Sequence, residues 1–257
     1  MMSDAAARGD PLLRVERVSK AFEGVDAVDD VSFAVAPGEI LALIGPNGAG
    51  KSTCFNMING QLVPDRGSIL LAGERIDGLP PRSIARRRVS RTFQTAATFA
   101  SMSVRENVQV ALIAHAGKQW NLRARADRQF GAQADALLAR FSIGALAQRA
   151  CGTLAYGDLK RVEIAIALST TPRLLLMDEP TAGTAPAERS SLMRDVVAAV
   201  RAQGIATVFT EHDVDVVFAH ADRVIVLDRG RIIAEGPPAA IRADKRVQQV
   251  YLGIEER

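Results

Sequence analysis

Residues 45–53 read Gly45-Pro46-Asn47-Gly48-Ala49-Gly50-Lys51-Ser52-Thr53, a spacing suited to holding a triphosphate. A row of phosphates needs a concave backbone with its N–H groups pointing inward, and glycine lets the main chain turn that tightly against the ligand. A lysine closing such a loop can neutralise the β and γ phosphates, and the hydroxyl after it can take a position on Mg²⁺; Lys51 and Ser52 stand there. The second constellation is Leu174-Leu175-Leu176-Met177-Asp178-Glu179, an apolar run that ends in two carboxylates. A buried strand would deliver Asp178 beside the metal, to hold it through water, and leave Glu179 just beyond to polarise an attacking water. Together the two segments point to metal-assisted hydrolysis of a triphosphate.

These residues need strands to carry them. Alternating or continuous β-type runs occur at Leu13 to Val18, Val31 to Val35, Ile40 to Ile44, Ser68 to Leu71, Leu174 to Met177, Thr207 to Thr210 and Val224 to Leu227, as half-buried and buried strands require. Helical patterns follow two of them, at Lys51 to Asn59 and at Ala187 to Arg201, the latter with Leu192, Val196, Val197 and Val200 on one face. Such alternation predicts an α/β domain with a mostly parallel sheet. Between Ala96 and Leu168 the strand signals disappear and Ala, Leu, Arg and Gln recur at helical spacing. A helical subdomain is therefore expected there, inserted between two motifs that bind one ligand, so that both of its ends lie near that ligand.

Composition narrows the class. A chain of 257 residues with 48% apolar content can fill a core, and apolar runs such as Ile40 to Ile44 fall far short of the roughly 20 residues that cross a bilayer. Met1 to Pro11 is polar and Ala-rich, without the basic and apolar stretches of a secretion signal, so a cytoplasmic location is expected. Cys54 and Cys151 are too far apart for a disulfide framework or a metal-ligand spacing and read as reduced filler thiols. The net charge is +3, and its visible excess lies in Arg82, Arg86, Arg87, Arg88 and Arg91. That run reads as a solvated face, an acidic-partner surface or a contact for lipid headgroups. Nucleic acid is not expected, because no aromatic residues interleave with the arginines.

The segments Gly45 to Thr53, Arg91-Thr92-Phe93-Gln94, Leu154-Ala155-Tyr156-Gly157-Asp158, Asp178-Glu179-Pro180-Thr181 and His212, in this order, resemble the motifs of ATP-binding-cassette (ABC) ATPases. The resemblance covers residues 12–253 and implies a P-loop NTPase core, 12–95 and 167–253, with a helical subdomain over 96–166 and an antiparallel β region near the N-terminus. It implies ATP and Mg²⁺ as ligands, with Ser52, Gln94 and Asp178 on the metal. Gln94 resembles the glutamine that senses a membrane subunit, His212 the switch histidine that contacts the γ-phosphate and positions Glu179, and Phe22 the aromatic on which adenine stacks. Residues 154–158 resemble the signature motif, which cups the nucleotide held by a second ATPase subunit. Here Ala155 replaces the usual serine, Tyr156 the first of two glycines and Asp158 the glutamine, while Ala185 stands where an aspartate commonly bridges the subunits. The helix expected at Arg161 to Ser169 still offers its positive end to a phosphate.

Tyr156-Gly157, Arg91-Thr92-Phe93-Gln94, Arg161-Val162-Glu163-Ile164-Ala165 and Val250-Tyr251-Leu252-Gly253 resemble the branched-chain amino-acid uptake ATPases, a subgroup that includes urea and amide uptake. The resemblance implies transmembrane permease subunits and a second ATPase subunit, in a heterodimer with unequal sites or in a homodimer. It also implies an external solute-binding protein reached indirectly, and a place on the inner face of the cell membrane. A lipid or polysaccharide exporter ATPase and a soluble ABC ATPase are the alternatives.

Overall fold

The computed structural model describes residues 10–92, 98–117 and 130–250. The chain opens with β1 (Leu13–Phe22) and β2 (Val25–Val35), then β3 (Ile40–Ile44), α1 (Lys51–Ile58), β4 (Arg66–Leu71), β5 (Glu74–Arg75), α2 (Pro81–Arg86) and β6 (Val89–Arg91). Helices α3 (Val104–His115), α4 (Gly131–Arg140) and α5 (Tyr156–Ser169) follow. The remainder is β7 (Leu174–Asp178), α6 (Pro186–Gln203), β8 (Ala206–Thr210), α7 (Val214–His220), β9 (Arg223–Asp228), β10 (Arg231–Gly236), α8 (Pro238–Ala243) and α9 (Lys245–Val250).

Two sheets form. One has the order β10-β9-β3-β8-β7-β6 and is parallel except where β10 pairs with β9. The other, β2-β1-β4-β5, is antiparallel throughout. Every residue of β3, β7 and β8 is buried, which is why these runs read as continuous apolar stretches: a central parallel strand has no solvent face. Their side chains alternate between two cores. Ile40, Ala42, Ile44, Leu175, Met177 and Phe209 pack with α3 to α7, whereas Leu41, Leu43, Leu174, Leu176 and Val208 pack with α1 and the antiparallel sheet.

The expected strands and the helices α1 and α6 are present. Several short elements, β5, β6, α2, α8 and α9, carry too few residues to show a period. One boundary is corrected: α5 starts at Tyr156 rather than Arg161, so the signature residues Tyr156, Gly157 and Asp158 form its first turn. The basic run is corrected too. Arg82 and Arg86 are exposed, Arg87 pairs with Glu74 at 3.5 Å and Arg88 donates to the Thr171 carbonyl, but the Arg91 side chain is only 9% exposed and pairs with Asp178 at 3.1 Å. Its guanidinium is a structural partner of the site, not part of a solvated face.

Candidate nucleotide site

The site lies where β3, β8 and β7 end side by side, the usual ligand position in an open α/β sheet. Residues 45–50 leave β3 in a loop whose shape is set by backbone crowding. A Cβ added at Gly45 (φ +151) would sit 2.1 Å from the Leu227 carbonyl oxygen, and one at Gly50 (φ +104) would sit 2.4 Å from that of Ala27. Pro46 is half-buried, Asn47 and Gly48 are exposed, and Ala49 is buried and donates its N–H to the Pro46 carbonyl at 3.2 Å. Gly50 is the N-cap of α1 and supplies no capping side chain, so the first N–H groups of that helix remain available to an anion.

Lys51 lies at the centre of the loop. Its ammonium donates to the carbonyls of Gly45 (2.7 Å) and Pro46 (3.0 Å). Burial pulls its pKa below the usual lysine value, while the charges of Glu179 and Asp178 oppose that shift. The two carboxylates thus lie near enough to the phosphate loop to act on the Lys51 charge. Ser52 is exposed and Thr53 half-buried, in the first turn of α1.

Asp178 ends β7 in register with Thr210 at the end of β8. The Thr210 hydroxyl donates to Asp178 Oδ1 at 2.8 Å, and Arg91 Nη2 donates to Oδ2 at 3.1 Å. Arg91 is itself held by Asn56 Oδ1 at 2.6 Å and Gln61 Oε1 at 3.1 Å, and it stacks 5.7 Å from the Phe55 ring centroid. Sequence reading missed both partners of Asp178. Thr210 closes an apolar strand without a distinctive spacing, and Arg91 is separated from Asp178 by 87 residues.

Glu179 has the left-handed φ of +49, a conformation that persists only where the surroundings enforce it. Its N–H donates to the Thr210 carbonyl and hydroxyl, both at 3.1 Å. Its Oε1 lies 2.8 Å from His212 Nε2, so the structure brings together the expected base and the expected switch histidine. Glu211, the residue before His212, is buried and accepts the Thr181 N–H at 2.7 Å; burial raises its pKa above the usual glutamate value.

Two expected residues stand apart from this cluster. Phe22, at the end of β1, is 44% exposed, with Lys20 Nζ 5.8 Å from its ring centroid, and so presents an open aromatic face. The signature turn instead contacts the loop after Glu179 and the start of α6: Gly157 approaches Thr184 and Glu188. Ala155 is the N-cap of α5 and makes no side-chain cap. Gln94 lies outside the described residues.

Among the described residues no group of three or more His, Cys, Asp or Glu could hold a metal ion. The donors at hand, the exposed Ser52 hydroxyl and the Asp178 carboxylate, are hard oxygens. Mg²⁺ commonly takes one or two such protein oxygens and completes its shell with phosphates and water, so these residues fit it. No helix among the described residues is long and apolar enough to cross a membrane.

Residues 28–182 match the ABC transporter family profile, and residues 231–257 match that of the branched-chain amino acid ATP-binding cassette transporter. The chain is 38% identical over 251 residues to the high-affinity branched-chain amino acid transport ATP-binding protein BraF of Pseudomonas aeruginosa, covering 95% of this chain and 98% of that one. It is 39% identical over 252 residues to the LivG protein of the same description from Escherichia coli, with the same coverage. Among solved structures, the ADP conformation of MJ1267, an ATP-binding cassette of an ABC transporter, superposes with a TM-score of 0.84 at 32% identity, covering 95% of this chain and 100% of that one.

Proposed function

Because this chain belongs to the ATP-binding subunits of ABC transporters, which are ATPases coupled to transport, we propose that it powers uptake of branched-chain amino acids or related small polar solutes through separate membrane subunits. The cargo reading is supported by the descriptions of BraF and LivG and by the match of residues 231–257. The observation that carries the catalytic reading is the 2.8 Å contact of Glu179 with His212, at a strand end whose carboxylates act on the Lys51 charge.

In this reading Phe22 stacks on adenine, and the N–H groups of residues 45–53 cradle the phosphates while Lys51 neutralises them. Ser52, Asp178 and Gln94 would hold Mg²⁺, which would supply charge neutralisation on the phosphates. Glu179 polarises the attacking water, and His212 holds the Glu179 carboxylate in place. Ala155, Tyr156, Gly157 and Asp158 face the nucleotide of a second ATPase subunit. Ala155 lacks the hydroxyl of a serine, so the site across from this chain is the weaker one in a heterodimer. The subunit sits at the inner face of the cell membrane, bound to its permease partners.

Lys51→Ala and Glu179→Gln separate the two halves of the chemistry. The first should abolish turnover and weaken ATP binding by about ten- to a hundredfold, while the second should keep binding and lose turnover by at least about a hundredfold. Unchanged turnover in either would overturn the site. Co-purification from native membranes should bring down importer permeases; exporter subunits would overturn the cargo assignment.

A further inference from the structure

Tyr156 opens α5 and is 43% exposed, yet one face of its ring is occupied. A Cβ built on Gly183 would lie 2.7 Å from Tyr156 Cε1, 3.0 Å from Cδ1 and 3.5 Å from Cζ. The ring therefore rests on the bare Cα of Gly183, which holds a left-handed φ of +74. Lys160 steadies the ring: its Nζ is 5.6 Å from the ring centroid, and the lysine is buried and paired with Glu163 at 3.2 Å. The next residue repeats the docking, since a Cβ on Gly157 would lie 2.7 Å from Glu188 Oε2 and 3.7 Å from Thr184 Cγ2.

Gly183 belongs to a tight loop that begins at Glu179. Ala182 N–H donates to the Glu179 carbonyl at 3.1 Å, and Thr184 N–H to that of Thr181 at 3.1 Å. The Thr184 hydroxyl donates to the same Thr181 carbonyl at 2.7 Å. Thr181 N–H in turn donates to Glu211 Oε1 at 2.7 Å, and the residue after Glu211 is His212, which contacts Glu179. A displacement at Gly183 thus reaches the Glu179 carboxylate by two routes, back along the loop and through Glu211 to His212. Because Glu179 sits in a strained left-handed conformation, its orientation depends on these supports.

We infer that Tyr156 is a positioning residue for Glu179. By bracing Gly183, the turn that faces the second subunit's nucleotide also sets the aim of the base in this subunit's own site, which gives the two sites a mechanical link. This rests on the ATPase reading and the dimer described above.

A double-mutant cycle tests it in the complex co-purified from native membranes. Tyr156→Gly should lower kcat about tenfold, while ATP binding by the full chain at the Lys51 site stays within about twofold, because the loss is one of aim rather than of affinity. Tyr156→Phe, which keeps the ring, should recover turnover to within about threefold. Gly183→Ala should cost more than about tenfold in the presence of Tyr156, but only about threefold once Tyr156→Gly has removed the ring it meets. Additive penalties, or a Phe variant as slow as the Gly variant, with ATP binding intact, would overturn the brace and leave the ATPase reading standing. A chain that binds no ATP would overturn both.

Discussion

The phosphate loop and the signature turn are both glycine-containing turns that open a helix without a side-chain cap, yet they are held in different ways. In the phosphate loop, the atoms that forbid a side chain at Gly45 and Gly50 are main-chain carbonyl oxygens of Leu227 and Ala27, which belong to β9 and β2. They cannot retreat without moving a strand. At the signature turn and the loop it packs against, what forbids a side chain at Gly157 or Gly183 is the Glu188 carboxylate or the Tyr156 ring, side chains rather than main chain. One turn is set by backbone packing, the other by side chains. The first therefore tolerates no variation in shape, whereas the second can be retuned by single substitutions, as the replacements at Ala155, Tyr156 and Asp158 illustrate.

The largest effect should come from attacking the backbone-set turn. Gly45→Ala would place a Cβ 2.1 Å from the Leu227 oxygen, a contact that no rotamer change relieves. We expect a loss of about 3 kcal/mol or more, read as a fall of about 6 to 12 °C in thermal midpoint for a chain of this size, together with loss of ATP binding. A Gly45→Ala protein of unchanged stability and affinity would break the comparison at its root.

The same contrast explains what could be read in advance. Gly45 to Thr53 and the strand ending in Asp178 were legible because their requirements are local: a fixed glycine spacing, an apolar run buried on both faces and a carboxylate at its end. The alternation of such runs with helical patterns also made a mostly parallel sheet legible, though not the order of its strands. Contacts made across the fold were not legible. Arg91 reads as one member of a basic run, and only the pairing of β6 with β7 brings it to Asp178. The sequence pattern starts α5 five residues late, at Arg161 rather than Tyr156, because Ala155 gives no capping signal and Gly157 and Asp158 are poor helix formers. Tyr156 was read only as a residue for a partner's nucleotide, since nothing in the sequence shows that Gly183 lies beneath its ring.

A smaller effect is expected at the side-chain-set turn. Gly157→Ala brings a Cβ to 2.7 Å from Glu188 Oε2, the far end of an exposed, flexible side chain that can swing aside. Within a helix, alanine is favoured over glycine by about 0.5 to 1 kcal/mol, which offsets the displacement. The thermal midpoint should stay within about 2 °C of the parent, against the large fall at Gly45. A drop as deep as that of Gly45→Ala would show that both turns are set by backbone packing.

The finest discrimination comes from the two thiols, because each reports on one of the regions. Neither should react readily with a thiol reagent in the folded protein, since the thiolate is the reactive form; burial pushes the Cys54 pKa up to about 12 and raises that of Cys151 as well. Labelling therefore proceeds through opening, and its rate reads the local stability of the region. Cys54 is on α1, its N–H bonded to the Gly50 carbonyl at 3.0 Å, so exposing it means unseating the helix that follows the phosphate loop. Cys151 opens a 3₁₀ turn, Cys151–Thr153, held by its N–H to the Met102 carbonyl at 3.0 Å and by Asn107 Nδ2 to its sulfur at 3.2 Å. Opening that turn breaks only these few bonds, whereas exposing Cys54 unseats a whole helix. Cys151 should therefore label at least about tenfold faster than Cys54, as resolved by alkylation and peptide mass spectrometry at constant pH. ATP should slow Cys54 further, because a ligand bound to the closed loop must dissociate before α1 opens, while leaving Cys151 nearly unchanged. Equal rates for the two thiols, or a Cys54 that labels first, would mean that the backbone-set turn is no firmer than the one set by side chains.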